Sequence, residues 1–245
     1  MILANVRERL TSADMDLVVR LLSHGDAARE TRYRGRLAEQ GRDALLDEAS
    51  LFDLLRDAPG ISAPSAALFI YVAVRHALRR VGIEDPELTD YLSALLLEFG
   101  TRDRAHRIAP ADDQVYRYVS DIVADLELVA DARRAFLLRA HLGNFSLWLS
   151  GVFPDYIAAR RVRRGGPDFS YYEEMGARGY RLASDHQLAR EWALAELYHR
   201  AAESFERLRV GLNRLSDFVF FRTHSSPDRL LRQVTDSFRL GLADN

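Results

Sequence analysis

Glu196-Leu-Tyr-His199 is the pair in this sequence best spaced to hold a metal. Glu-x-x-His puts both side chains on one helix face. Di-iron bundles use two such pairs plus a lone Glu from each of two further helices. The nearest second pair, Asp103-Arg-Ala-His106, sits among Arg102, Arg104 and Arg107, whose charge repels a cation. At about 100° per residue, His199 falls at the edge of its helix's apolar stripe and Glu196 outside it. A heme needs one axial imidazole in a dry helical pocket, and His76, His141 and His199 could supply it. A di-iron or heme site drawing on Glu196 and His199 is therefore the alternative reading, and no cofactor is expected.

Other chemistry is excluded by residue type. All 34 basic residues are arginine and there is no cysteine. Without lysine there is no Schiff base and no Gly-Lys-Ser/Thr phosphate loop. Without cysteine there is no thiol nucleophile, disulfide, thiolate zinc site or covalently attached heme. Gly143-Asn-Phe-Ser146 has no Gly two residues after the serine and no strand before it, so it is not a nucleophile elbow. No Gly-x-Gly-x-x-Gly occurs.

Binding chemistry remains. Arg160-Arg161-Val-Arg163-Arg164-Gly-Gly is the densest charge cluster, and Tyr171-Tyr172 follows shortly after. Guanidinium groups beside aromatic rings suit a phosphate or an acidic partner. Arg160, Arg161, Arg163, Arg164, Tyr171, Tyr172, His141 and Asn144 are the expected contacts. The competing reading is a solvated linker whose arginines pair with Asp155, Asp168 and Glu173.

These residues need elements to position them. Leucine and alanine are abundant, and no strict period-two run of strand length occurs, which predicts an all-α bundle of nine or ten helices. Thr11 or Ser12 starts a helix ending at Gly25; Asp26 opens a charged one through Gln40; another spans 42–57. Pro59-Gly60 punctuates, and Ser62 to Ser65 opens an apolar helix through Arg80. Asp85-Pro86 starts a helix to Phe99, and 100–111 reads as an Arg-rich loop. Asp112 or Asp113 opens a long helix that resumes through Leu142 and breaks at Gly143-Asn144. Residues 160–167 read as a basic connection and 169–184 as a helix. A single long helix runs from Asp185 to Val219, its seam including Leu188, Trp192, Tyr198, Phe205 and Leu212. Ser225-Ser226-Pro227 caps the last helix, which runs to Leu242. A single domain over 1–245 is expected, with a weak subdivision into 1–58 and 59–245.

The segments Leu142-Gly-Asn-Phe-Ser-Leu-Trp-Leu-Ser-Gly-Val-Phe153 and Tyr171-Tyr-Glu-Glu-Met-Gly-Ala-Arg-Gly-Tyr180 resemble a group of uncharacterised helical bacterial proteins. These share Leu-Gly-x-x-Ser-Leu-x-x-Ser-Gly-x-Phe followed by Tyr-Tyr-x-x-Met-Gly-x-x-x-Tyr. The likeness covers about a sixth of the chain. It implies no activity, but it marks Gly143, Ser146, Ser150, Gly151, Tyr171, Tyr172, Met175, Gly176 and Tyr180 as a structural or functional centre. Two uses of that centre are open: glycines at tight helix crossings, or a glycine-floored pocket walled by Tyr171, Tyr172, Trp148 and His141.

A formal charge of −2 argues against a dedicated nucleic-acid binder. The longest apolar run, Ala66 to Val74, is too short to span a bilayer, and no leader is read at the start, so a cytoplasmic protein with no membrane partner is expected. The reading is of a binding or assembly protein rather than an enzyme, centred on 141–186. Its expected partner is another protein or a small anion, with self-association also open.

Overall fold

The computed structural model describes residues 1–57, 64–221 and 227–241. The chain is all-α, and the described residues form fifteen α-helices and no strand. The expected turn at Pro59-Gly60, the helix start at Ser62, the 58/59 subdivision point, the Ser225-Ser226 cap and the end at Leu242 lie outside the described residues.

The N-terminal region folds as α1 (Val6–Arg9), α2 (Ser12–Ser23), α3 (Ala27–Gln40), α4 (Asp43–Leu46) and α5 (Leu51–Arg56). Thr11 and Asp14 cap α2 reciprocally, each side chain taking the other's backbone N–H. Asp26 accepts from the N–H groups of Ala28 and Arg29, so α3 begins where the sequence predicts. Helix α3 buries no residue. α6 (Ala66–Arg79) and α7 (Pro86–Phe99) follow, the latter opened by Asp85 with Pro86 in its first turn.

Next come α8 (Val119–Leu128), α9 (Ala132–Val152), α10 (Pro154–Arg164) and α11 (Phe169–Ser184). α12 (Gln187–Glu191), α13 (Ala195–Glu203), α14 (Phe205–Leu215), a π-helical turn over Ser216–Phe220 and α15 (Pro227–Leu240) complete the chain. The helix count exceeds nine or ten because continuous apolar spacing hides breaks. The expected helix from Asp185 to Val219 is three, divided at Ala193, which adopts a left-handed backbone (φ 55°), and at Ser204. Likewise 112–118 is not helical: Asp121 accepts from the N–H groups of Arg117 and Tyr118 and starts α8 at Val119. Two expected breaks are absent. α9 runs through Gly143-Asn144, and the basic 160–164 segment is helical.

Helix α9 is the axis of the molecule, buried along most of its second half and packed against α7, α11 and α14. One hydrophobic cluster joins Val6, Leu51, Leu95, Phe136, Leu197 and Leu208; a second, between α8, α9, α10 and α11, contains Tyr116, Ile122, Leu142, Phe145, Ile157 and Tyr172. The glycines of the resembling segments lie at crossings. A Cβ at Gly143 would meet the Tyr180 ring at 2.5 Å, and one at Gly176 would meet the Phe205 ring at 2.1 Å. The faces of Gly143 and Gly176 are thus filled by aromatic rings, Gly151 meets Leu212 and Gly179 meets the α9 backbone, and the glycine-floored pocket does not form. Trp192 is only half-buried, edge-on to Phe136.

Candidate functional site

Helix α10 carries the arginines. Pro154 starts it, and Gly165, in the left-handed region (φ 60°), ends it. The N–H groups of Gly165 and Gly166 return to the carbonyls of Arg161 and Arg160, closing the helix as a glycine cap does. Gly165-Gly166 therefore stops a helix rather than opening a linker, and the arginines of its last turn oppose the helix dipole favourably.

Helical spacing divides the four arginines. Arg160, Arg163 and Arg164 line a shallow cleft of about 200 Å³ with Tyr156 and Ala159. The Arg160 guanidinium lies 4.7 Å from the Tyr118 ring centre, while Arg163 and Arg164 make no ion pair among the described residues. Arg161 lines a larger cavity, about 390 Å³, with Ile157, Ala158, Val162, Phe169 and Leu231 among its walls. Its Nη1 stands 3.8 Å from Asp168.

Of the other expected contacts, Tyr172 stays within electrostatic reach of the arginines: burial raises its pKa and the charge on Arg160 works against that rise. Tyr171, His141 and Asn144 do not line the arginine cleft. Tyr172 is buried in the second cluster and Tyr171 is half-buried against it, ring edge to ring face at 5.5 Å. Tyr156, not Tyr171-Tyr172, is the aromatic of the arginine cleft. Asn144 is a core residue whose Oδ1 accepts from the hydroxyls of Tyr91 (2.6 Å) and Tyr180 (2.8 Å). His141 is buried among Phe99, Tyr116 and Phe145, and its Nε2 has no hydrogen-bond partner. His141 and Asn144 thus stand away from the arginines. His199 is exposed and 3.4 Å from Glu203, and Glu196 is exposed. Among the described residues no three His, Cys, Asp or Glu side chains converge as a metal site needs.

Burial, reinforced by the charge on Arg104, pushes the His141 pKa down to about 3 from 6.5. The folded protein therefore keeps His141 neutral where the unfolded chain protonates it. The stability present above pH 6.5 falls as pH drops toward the folded value. We expect this group to contribute a loss of about 1.4 kcal/mol per pH unit below about pH 6. Urea titrations of wild type and His141→Phe between about pH 6.5 and 5 should show a shallower slope for the variant; equal slopes would refute the assignment.

The feature missed in the sequence lies beside the larger cavity. Arg209 of α14, 1% exposed, donates through Nε to Glu173 (2.6 Å) and through Nη1 and Nη2 to Asp236 of α15 (3.0 and 2.7 Å). Burial opposes its charge, yet the hydrogen bond and attraction of Asp236, joined by Glu173, hold its pKa above the ordinary value. Arg229 and Arg232 of α15 pair with Asp217, and Arg229 also reaches Asp155 of α10 at 2.7 Å. Gln233 donates to Asp217 as well. Asn213 and Ser216 satisfy the last carbonyls of α9, at Ser150, Gly151 and Val152. The trace of this in the sequence is Arg209-Asn213-Asp217, a polar stripe at four-residue spacing beside the leucine seam.

Helix α15 is consequently inverted. Its charges face the protein, and Leu230, Leu231, Val234 and Phe238 face outward, Phe238 being 88% exposed. Across the larger cavity from Leu231, Val162 of α10 is 84% exposed. The α10–α15 face thus offers apolar side chains next to Arg161, while Arg163 and Arg164 lie with Arg160 in the separate cleft. No helix of the described residues is long and apolar enough to cross a membrane. No family model, curated protein or solved structure matches the chain.

Proposed function

We propose that this is a non-catalytic binding or assembly protein and that α10 and α15 form its contact face. The observation that carries the reading is the polarity of α15. A helix exposed to water ordinarily turns its charges outward, whereas this one pairs Arg229, Arg232 and Asp236 inward and presents leucine, valine and phenylalanine. Exposed apolar residues grouped beside charge mark interaction sites. Arg161, Arg163 and Arg164 supply the polarity of the partner: an anionic group. This keeps the arginine end of 141–186 as the centre and extends it to α15.

The test is charge reversal. Arg161→Glu with Arg164→Glu should leave the melting temperature nearly unchanged, since exposed charges contribute little to stability. It should abolish retention of the protein on an anionic phosphocellulose matrix, and wild-type retention should weaken with salt. Equal retention of variant and wild type would remove α10 from the site.

A further inference from the structure

Three surfaces invite a partner: the shallow arginine cleft, the outward ridge of α15 and the larger cavity. The cleft is walled by α10 alone. The ridge of Leu230, Val234 and Phe238 offers only carbon, which selects no particular partner. The cavity differs from both. Residues of α10, α11, α14 and α15 wall it, and they combine carbon with hydrogen-bond donors not yet used.

We infer that this cavity binds a monocarboxylic acid with an apolar body, its carboxylate on Arg161 and Arg232 and its body against Ile157, Ala158, Phe169 and Leu231. This rests on the reading of α10 and α15 as the contact face and names the anionic group which that face takes.

Size and lining set the body. A volume of about 390 Å³ lies in the range of small-molecule sites. At about 30 Å³ each, the share of a water molecule, it holds roughly a dozen non-hydrogen atoms. The walls between the charged groups are aliphatic and aromatic, so most of those atoms are apolar.

Unspent donors set the head. The Arg161 guanidinium makes no hydrogen bond among the described residues, and Asp168, the carboxylate it faces, is 3.8 Å away, beyond hydrogen-bonding distance. Arg232, with 9% of its side chain exposed, donates through Nη2 to Asp217, and its buried Nη1 has no partner among the described residues. A buried donor left without an acceptor is costly, so a ligand oxygen is favoured beside it. The carboxylates of the wall are already engaged. Asp236 accepts from Arg209 and Asp155 from Arg229, while Asp168 accepts from the Ser170 hydroxyl and the Tyr171 N–H as it caps α11. Arg209 and Arg239 are likewise met, by Asp236 and Glu206. What is left over is donor, and it calls for an acceptor carrying negative charge. A carboxylate with an apolar body satisfies both the donors and the walls, whereas inorganic phosphate would leave the walls bare.

The experiment is isothermal titration calorimetry of the full-length chain with decanoate, whose size matches the cavity. One decanoate should bind per chain with a Kd under about 100 μM. Octanoate, two methylenes shorter, should bind about 15-fold more weakly. Decan-1-ol, which has no charge, should bind about tenfold more weakly or worse, and inorganic phosphate should not compete. Ala158→Leu fills the cavity without altering charge and should abolish binding at an unchanged or higher melting temperature. Arg161→Gln should weaken binding about tenfold. Phe238→Ser, on the ridge and outside the cavity, should leave it unchanged. Absence of decanoate binding overturns the proposal. So do equal affinity for octanoate or decan-1-ol, competition by phosphate, binding unmoved by Ala158→Leu or Arg161→Gln, and binding removed by Phe238→Ser. Any of these leaves the contact face standing while phosphocellulose still retains the protein; failure of both decanoate binding and retention removes the face as well.

Discussion

Replacing Arg209 with leucine should destabilise the protein by about 3–5 kcal/mol, the cost of breaking a buried ion pair by removing one partner. Glu173 and Asp236 would keep their charge with no cation beside them, in a site where Arg209 itself is 1% exposed. The loss should appear as a lower urea midpoint and as faster amide exchange across α15, whose Asp236 is held by that guanidinium. A triple variant, Arg209→Met with Glu173→Met and Asp236→Leu, should recover most of the loss, because uncharged side chains of similar size leave nothing unpaired. If Arg209→Leu costs under about 1 kcal/mol, the range of surface changes, the cluster does not hold α14 to α15.

A single methyl group should have a comparable effect at Gly179. A Cβ there would stand 2.7 Å from the Gly143 nitrogen and 2.8 Å from the Arg139 carbonyl, both backbone atoms of α9. Backbone cannot rotate aside as a side chain can, so α9 and α11 must separate along their whole crossing. Gly179→Ala should therefore cost about 3 kcal/mol, at the upper end for overpacking. Gly35, inside α3, is the control, with nothing within 4 Å of its missing Cβ. Gly35→Ala should raise stability by up to about 1 kcal/mol through helix propensity. Opposite signs for one substitution in two helices would show that crossing geometry, not glycine's flexibility, decides; equal signs would refute this packing.

The limits of α2, α3, α7 and α11 were legible because each begins with a side chain that accepts the first free N–H groups: Thr11, Asp26, Asp85 and Asp168. The boundaries missed before α13 and α14 lacked such a signal, whereas Asp121 and Asp131, which accept the free N–H groups at the starts of α8 and α9, are hidden among other acidic residues in an apolar run. Apolar residues keep their three–four spacing across Ala193 and Ser204, so periodicity alone joins α12, α13 and α14. The arginine run was misread for a related reason: charge density and Gly-Gly-Pro resemble a linker, yet the same residues are a helix end and its cap. Within the site, the arginines of α10 were visible as residues, and their division between two cavities was not. His141 and Asn144 drew notice as polar residues on an apolar helix, and both are core groups enclosed by aromatic rings. Nothing local to 227–240 reveals that α15 faces outward. Its pattern is amphipathic either way, and the deciding carboxylates, Asp155, Glu173 and Asp217, lie on other elements.

The seat of α15 also has a calorimetric consequence. Exposing apolar surface raises heat capacity by about 0.45 cal/K/mol/Å², while exposing polar surface lowers it by about 0.26. Lifting α15 uncovers Arg209, Asp217, Asp236 and their partners, with Leu240 among the few carbon side chains freed. That opening therefore has a smaller heat-capacity change for the area it exposes than unfolding of the core. For the same area, its free energy curves less with temperature than the core's. The desolvation cost of the ion pairs also falls on heating. One short chain thus holds together by two forces with different thermal profiles, and warming shifts the balance toward the ionic one.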